Sequence, residues 1–100
     1  MSSQPRPKQI AVLVRRQQAE ALRVAAGLTL AGNGVDVYLL QRLRLEDPQV
    51  QEQLETLDLA DISPISVLAE GESSSMDEGS SIGFPAFSQR IVAYDAVISL

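Results

Sequence analysis

Two places in the chain combine residue types and spacing that could hold an anion. Arg15 and Arg16 follow the apolar run Ile10–Val14, and Gln41 and Arg42 follow a second run, Val35–Leu40. An arginine pair beside a helix start can bind phosphate or carboxylate, because guanidinium N–H groups and free helix-end N–H groups both donate to negative oxygen. Val14-Arg15-Arg16-Gln17-Gln18 has neither the GxGxxG nor the Walker pattern. The plainer reading, arginines that face solvent or a second subunit, therefore stands ahead of the ligand reading.

Ser73, Ser74 and Ser75 could supply hydroxyl nucleophiles or ligand contacts. The chain holds no histidine to activate them and a single lysine, Lys8, so they read as loop serines. Glu70, Glu72, Asp77 and Glu78 could attract a hard cation, but they lack the spacing of a calcium loop and read as a solvating segment. Neither a metal site nor a cofactor is expected. The absence of both cysteine and histidine excludes disulfides, thiolate or persulfide chemistry, Cys/His zinc sites and histidine acid/base catalysis within one chain. No catalytic residue is assigned.

These candidates are positioned by alternating elements. Ile10–Val14 is continuously apolar, as a strand covered on both faces of a parallel sheet should be. A helix is expected over Gln17–Ala31, with Ala21, Leu22, Ala25, Leu28 and Thr29 on one face and Gly27 and Leu30 on the outward side. A helix this apolar all round is usually covered on more than one side. Part of its outer side is accordingly expected in an oligomer interface; an Ala-rich helix left partly exposed is the alternative. Gly32-Asn33-Gly34 supplies the helix stop. Val35–Leu40 is a second strand, with Asp36 expected to face solvent at its entry. Asp47-Pro48 starts a helix running to about Asp58, with Val50, Leu54 and Leu57 as its apolar stripe. A third strand is expected at Ile65–Ala69, a short helix anchored in the core by Phe84, Phe87 and Ile91, and a last strand at Ala96–Leu100.

That order predicts an α/β fold, a three-layer α/β/α sandwich around a mainly parallel sheet of four to five strands. The 100 residues suit one domain, at 9–100, with a disordered tail at 1–8 and a mobile loop at about 70–82. No apolar run approaches the roughly 20 residues of a membrane span, and the polar start is not a signal peptide; no membrane partner and a cytoplasmic location are expected. Charge is divided unevenly: residues 1–44 carry about +5 and residues 45–100 about −10, for a net charge of −5. Such a split can mark an interaction surface or self-complementary assembly, although ordinary solvated faces are the simpler account. Nucleic acid is not an expected partner, because the basic residues do not interleave with aromatics.

The runs Lys8–Val14, Ala21–Leu30 and Val35–Leu40, together with Tyr94–Ser99, resemble the DsrE/DsrF-like small proteins over roughly half the chain. The resemblance implies homo- or hetero-oligomers engaged in intracellular sulfur relay or oxidation. Active members of that family carry a cysteine after the third strand, where this chain has Ser73-Ser74-Ser75-Met76. Serine cannot hold a persulfide, so the chain is more similar to cysteine-free subunits with structural or regulatory roles. The expected function is a non-catalytic oligomeric subunit or binding module, assembling with itself or with related subunits. A small-ligand sensor or enzyme using the strand-edge arginines is the alternative.

Overall fold

A computed structural model describes residues 7–69 and 80–100. Five strands and three helices follow one another as β1 (Gln9–Val14), α1 (Gln18–Leu30), β2 (Gly34–Leu39), α2 (Pro48–Leu59), β3 (Ile65–Leu68), β4 (Ser80–Gly83), α3 (Phe84–Ile91) and β5 (Ala96–Ser99). They form one sheet in the order β4-β3-β2-β1-β5, and every pairing is parallel. The expected α/β architecture with a parallel sheet is present.

β1 lies inside the sheet, between β2 and β5, because its residues can be buried on both sides. Alternation sends Ile10, Val12 and Val14 to one face, where they pack with Ala21, Leu22, Ala25 and Ala26 of α1 and Val50 and Leu57 of α2. Ala11 points to the other face, where it packs with Tyr38 and Phe87 of α3. The sheet is thus covered by two helices on one face and one short helix on the other. Among the described residues the two cores differ in depth: ten buried residues form the first cluster and three the second. Removing Leu22, which is fully buried, would cost about 2–5 kcal/mol if cut to alanine.

Local chemistry sets the boundaries. The α1 helix stops at Ala31, and Gly32 takes φ +98°, a left-handed conformation that favours glycine. Asp47 caps α2 by accepting the Gln49 N–H at 2.9 Å, with Pro48 in the first turn. Backbone pairing extends ahead of β1 to Lys8, whose carbonyl accepts the Gly34 N–H at 2.8 Å; residues 1–6 of the expected disordered tail lie outside the described residues.

Three expectations are corrected. Residues 80–82, expected in a mobile loop, belong to β4, which pairs with β3 in the register Val67↔Ile82 and brings Ile82 against the α3-side core. Asp36 does not face solvent; it is half-buried beneath Tyr94. Phe84 is not a core anchor: it is 53% exposed, whereas Phe87 is buried with its ring centroid 6.1 Å from that of Phe84. The outer side of α1 stands open, with Gly27 facing empty space and Leu30 83% exposed. Among the described residues no helix is long and apolar enough to cross a membrane.

Candidate functional site

The sheet order reverses beside β1: β2, β3 and β4 build out on one side and β5 is added on the other. In open parallel sheets the crevice beyond the carboxyl ends of the strands at such a reversal is where ligands bind. The loop at that point is Arg15-Arg16-Gln17, and the Gln17 N–H donates to the Leu100 carbonyl at 2.9 Å, tying the end of β1 to the end of β5. Arg15 and Arg16 therefore stand at the switch point, as exposed side chains on a fixed backbone.

The loop after β2 is brought to the same place by one side chain. Gln18, the first residue of α1, is only 1% exposed. Its Nε2 donates to the Arg15 carbonyl at 3.2 Å and to the Arg42 carbonyl at 3.0 Å, and its Oε1 accepts the Arg44 N–H at 2.8 Å. A primary amide suits this position because it offers two donors and an acceptor at once. The Arg44 guanidinium adds a bond of 2.7 Å to the Arg16 carbonyl. Two loops that are distant in sequence become one platform carrying Arg15, Arg16, Arg42 and Arg44.

Of the residues singled out from sequence, Arg15, Arg16 and Arg42 are brought together here. Gln41 is exposed on the same edge but takes no part in the Gln18 bonds. Ser73, Ser74 and Ser75, like Glu70, Glu72, Asp77 and Glu78, lie outside the described residues. Gln18 and Arg44 are the members that sequence reading passed over. A polar residue on the inward side of an otherwise apolar helix was the available signal for Gln18.

Among the described residues, no carboxylate forms an ion pair with the platform. The backbone of four exposed arginines is joined here, and the one ion pair among the described residues is elsewhere, between Arg23 and Glu20 at 2.5 Å on the outer side of α1. Asp47 adjoins the platform, but its carboxylate caps α2; Glu46 is the other acidic neighbour and is exposed. Guanidinium groups grouped without carboxylate partners can bind an anion by charge-assisted hydrogen bonds. They provide neither a general base nor a nucleophile.

A second polar cluster lies on the α3 side of the sheet. Tyr94 donates to Asp36 Oδ2 at 2.5 Å, and the Tyr94 and Tyr38 hydroxyls are also 2.5 Å apart. Tyr38 is fully buried, with its ring edge-on to Phe87 at 5.0 Å and to Tyr94 at 6.0 Å. Burial, then the bond to Asp36, then the contact with Tyr38 push the Tyr94 phenol far above its ordinary range. Tyr94 thus keeps its proton as a donor to Asp36, in a chain that is closed on itself. Among the described residues no buried side-chain nitrogen or oxygen lacks a partner, and no group of three acidic, histidine or cysteine side chains could hold a metal ion.

Surface hollows occur at the opposite edge, lined by Pro7, Lys8, Gln9, Ala93 and Asp95, and between the helices, lined by Ala19, Glu20, Arg23, Gln49, Glu52 and Gln53. Neither of these two hollows includes the four arginines. No family model, curated protein or solved structure matches the chain.

Proposed function

We propose that this chain is a non-catalytic binding module that holds an anionic group on the arginine platform. One observation carries the reading: Gln18 gathers Arg15, Arg42 and Arg44 at the switch point of the sheet, and no described carboxylate pairs with them. Concentrating like charge is unfavourable unless an opposite charge joins it, so the platform is suited to a ligand or partner that brings one. On the sequence resemblance to DsrE/DsrF-like proteins, the reading keeps the chain as a cysteine-free accessory to intracellular sulfur metabolism, with no thiol to carry sulfur itself.

The experiment is a titration of isotopically labelled protein with inorganic phosphate, followed by backbone amide shifts. Shifts confined to residues 15–18 and 41–45 and lost in Arg15→Gln/Arg42→Gln support the proposal. Shifts scattered over the surface, or unchanged in that variant, overturn it.

A second reading, assembly through the outer side of α1, is supported by the open space at Gly27 and the exposure of Leu30. A concentration-independent monomer in light scattering would remove it, as would an oligomer unaffected by Leu30→Glu.

A further inference from the structure

We propose that the anionic surface received by the arginine platform is the acidic outer side of α2 on a second copy of this chain. The inference rests on the reading of the platform as an anion site and names its partner.

The α2 helix contains no basic residue, and Glu52, Glu55 and Asp58 are all exposed. At about 100° per residue these three span roughly 120° of the helix surface, and Leu59 falls within that sector. Leu59 is 86% exposed, so the acidic stripe ends in one large unburied apolar side chain. The platform has the matching composition. Beside Arg42 and Arg44 stands Leu45, 55% exposed. Opposite charges surrounding a few apolar contacts are the usual make-up of a polar interface, with the charges setting partner and register.

One molecule cannot satisfy both surfaces by itself. The α2 helix begins next to the platform at Pro48 and runs about 18 Å toward the opposite edge of the sheet, which carries Glu55, Asp58 and Leu59 away from the arginines. The acidic side chains in the loop that carries Arg42 and Arg44 are Glu46, which is exposed, and the capping Asp47. The proposed match is between copies, and it joins two different surfaces head to tail, so each association leaves a free platform and a free α2 for the next. Exposed ion pairs contribute little one by one and are screened by salt, so the assembly is weak, reversible and favoured at low ionic strength.

Sedimentation equilibrium of the full chain, at low salt and at ~0.5 M salt, tests this. The wild type should self-associate with rising concentration at low salt, and the added salt should weaken association by about tenfold or more. Arg15→Glu/Arg42→Glu and Glu52→Lys/Glu55→Lys/Asp58→Lys should each be monomeric alone, and an equimolar mixture of the two should associate again. Glu52→Gln/Glu55→Gln, which should weaken association without reversing charge, serves if circular dichroism shows either reversal variant unfolded. A wild type that is monomeric at low salt overturns the proposal. So does association that salt leaves unchanged and Leu30→Glu abolishes, or folded reversal variants that fail to recombine. If the platform amides respond to phosphate and no self-association occurs, this inference falls and the anion-site reading survives. Self-association that depends on the arginines, without a phosphate response, removes the small-ligand reading and leaves the platform as a protein contact.

Discussion

The Tyr38–Tyr94–Asp36 cluster and the arginine platform are both polar groupings built on the interior strands β1 and β2, but only the first is complete. Its two hydroxyls and one carboxylate satisfy one another, and it is half to fully buried. On the platform the backbone groups are satisfied through Gln18 and the Arg44 guanidinium, while the exposed arginines have no carboxylate partner among the described residues. The difference separates two uses of polarity: a closed network fastens elements to each other, and an open one offers its bonding capacity to something else. Position agrees with this division. The tyrosine cluster lies under α3 and ties the α3–β5 connection to the sheet, whereas the platform lies at the reversal of strand order.

Substitutions can test that contrast, and the largest effect is expected at the part of the platform that resembles the closed cluster. Gln18→Leu keeps the volume inside the core but leaves the Arg15 and Arg42 carbonyls and the Arg44 N–H without their partner. A loss of about 2–4 kcal/mol in urea unfolding, with loss of the phosphate response, is expected. An effect below the scatter of the measurement would mean that Gln18 does not organise the two loops.

Tyr94→Phe should cost about 1.5–3 kcal/mol, because it removes the donor from a half-buried carboxylate while keeping the ring, and the platform should respond to phosphate as before. The same variant sharpens the comparison through pH. Tyr94 holds its proton more tightly folded than unfolded, so its contribution is full below the ordinary tyrosine pKa of about 10 and is lost as pH rises beyond it. Wild-type stability should therefore fall more steeply above about pH 10 than that of Tyr94→Phe; parallel curves would show that Tyr94 is not the responsible group.

Asp47→Ala should cost about 1 kcal/mol by removing the cap of α2, as read from thermal unfolding. The smallest effect on stability is expected for Arg15→Gln/Arg42→Gln, within about 0.5 kcal/mol, although this variant loses the phosphate response. A large destabilisation would place these arginines in the structural class with Tyr94 and erase the contrast.

The parallel sheet and its interior strand β1 were legible because burial on both faces requires an unbroken apolar run, which Ile10–Val14 displays. The carboxyl-edge location of Arg15, Arg16 and Arg42 followed from the same element order. What was not legible depends on contacts between distant residues. Asp36 and Tyr94 are 58 positions apart, and nothing local to either predicts a shared hydrogen bond, so Asp36 read as a solvated strand entry. β4 escaped notice because Ser80–Gly83 contains one large apolar residue, Ile82; its pairing with β3 and the cover of α3 make it a strand, not its own propensity. Phe84 read as core by residue type, but the first turn of α3 turns it outward while Phe87 takes the inward position.

The Gln18 amide has a thermodynamic consequence. Its three bonds join the start of α1 to both loops that carry arginines, so the platform has no independent open and closed forms and cannot be lost without disturbing the packing of β1, α1 and β2. Anything that binds there and not to the unfolded chain should raise the melting temperature of the whole domain by mass action. No loop has to order first, so association should be fast and its rate sensitive to ionic strength, as for a preformed charged surface meeting its counterpart by diffusion.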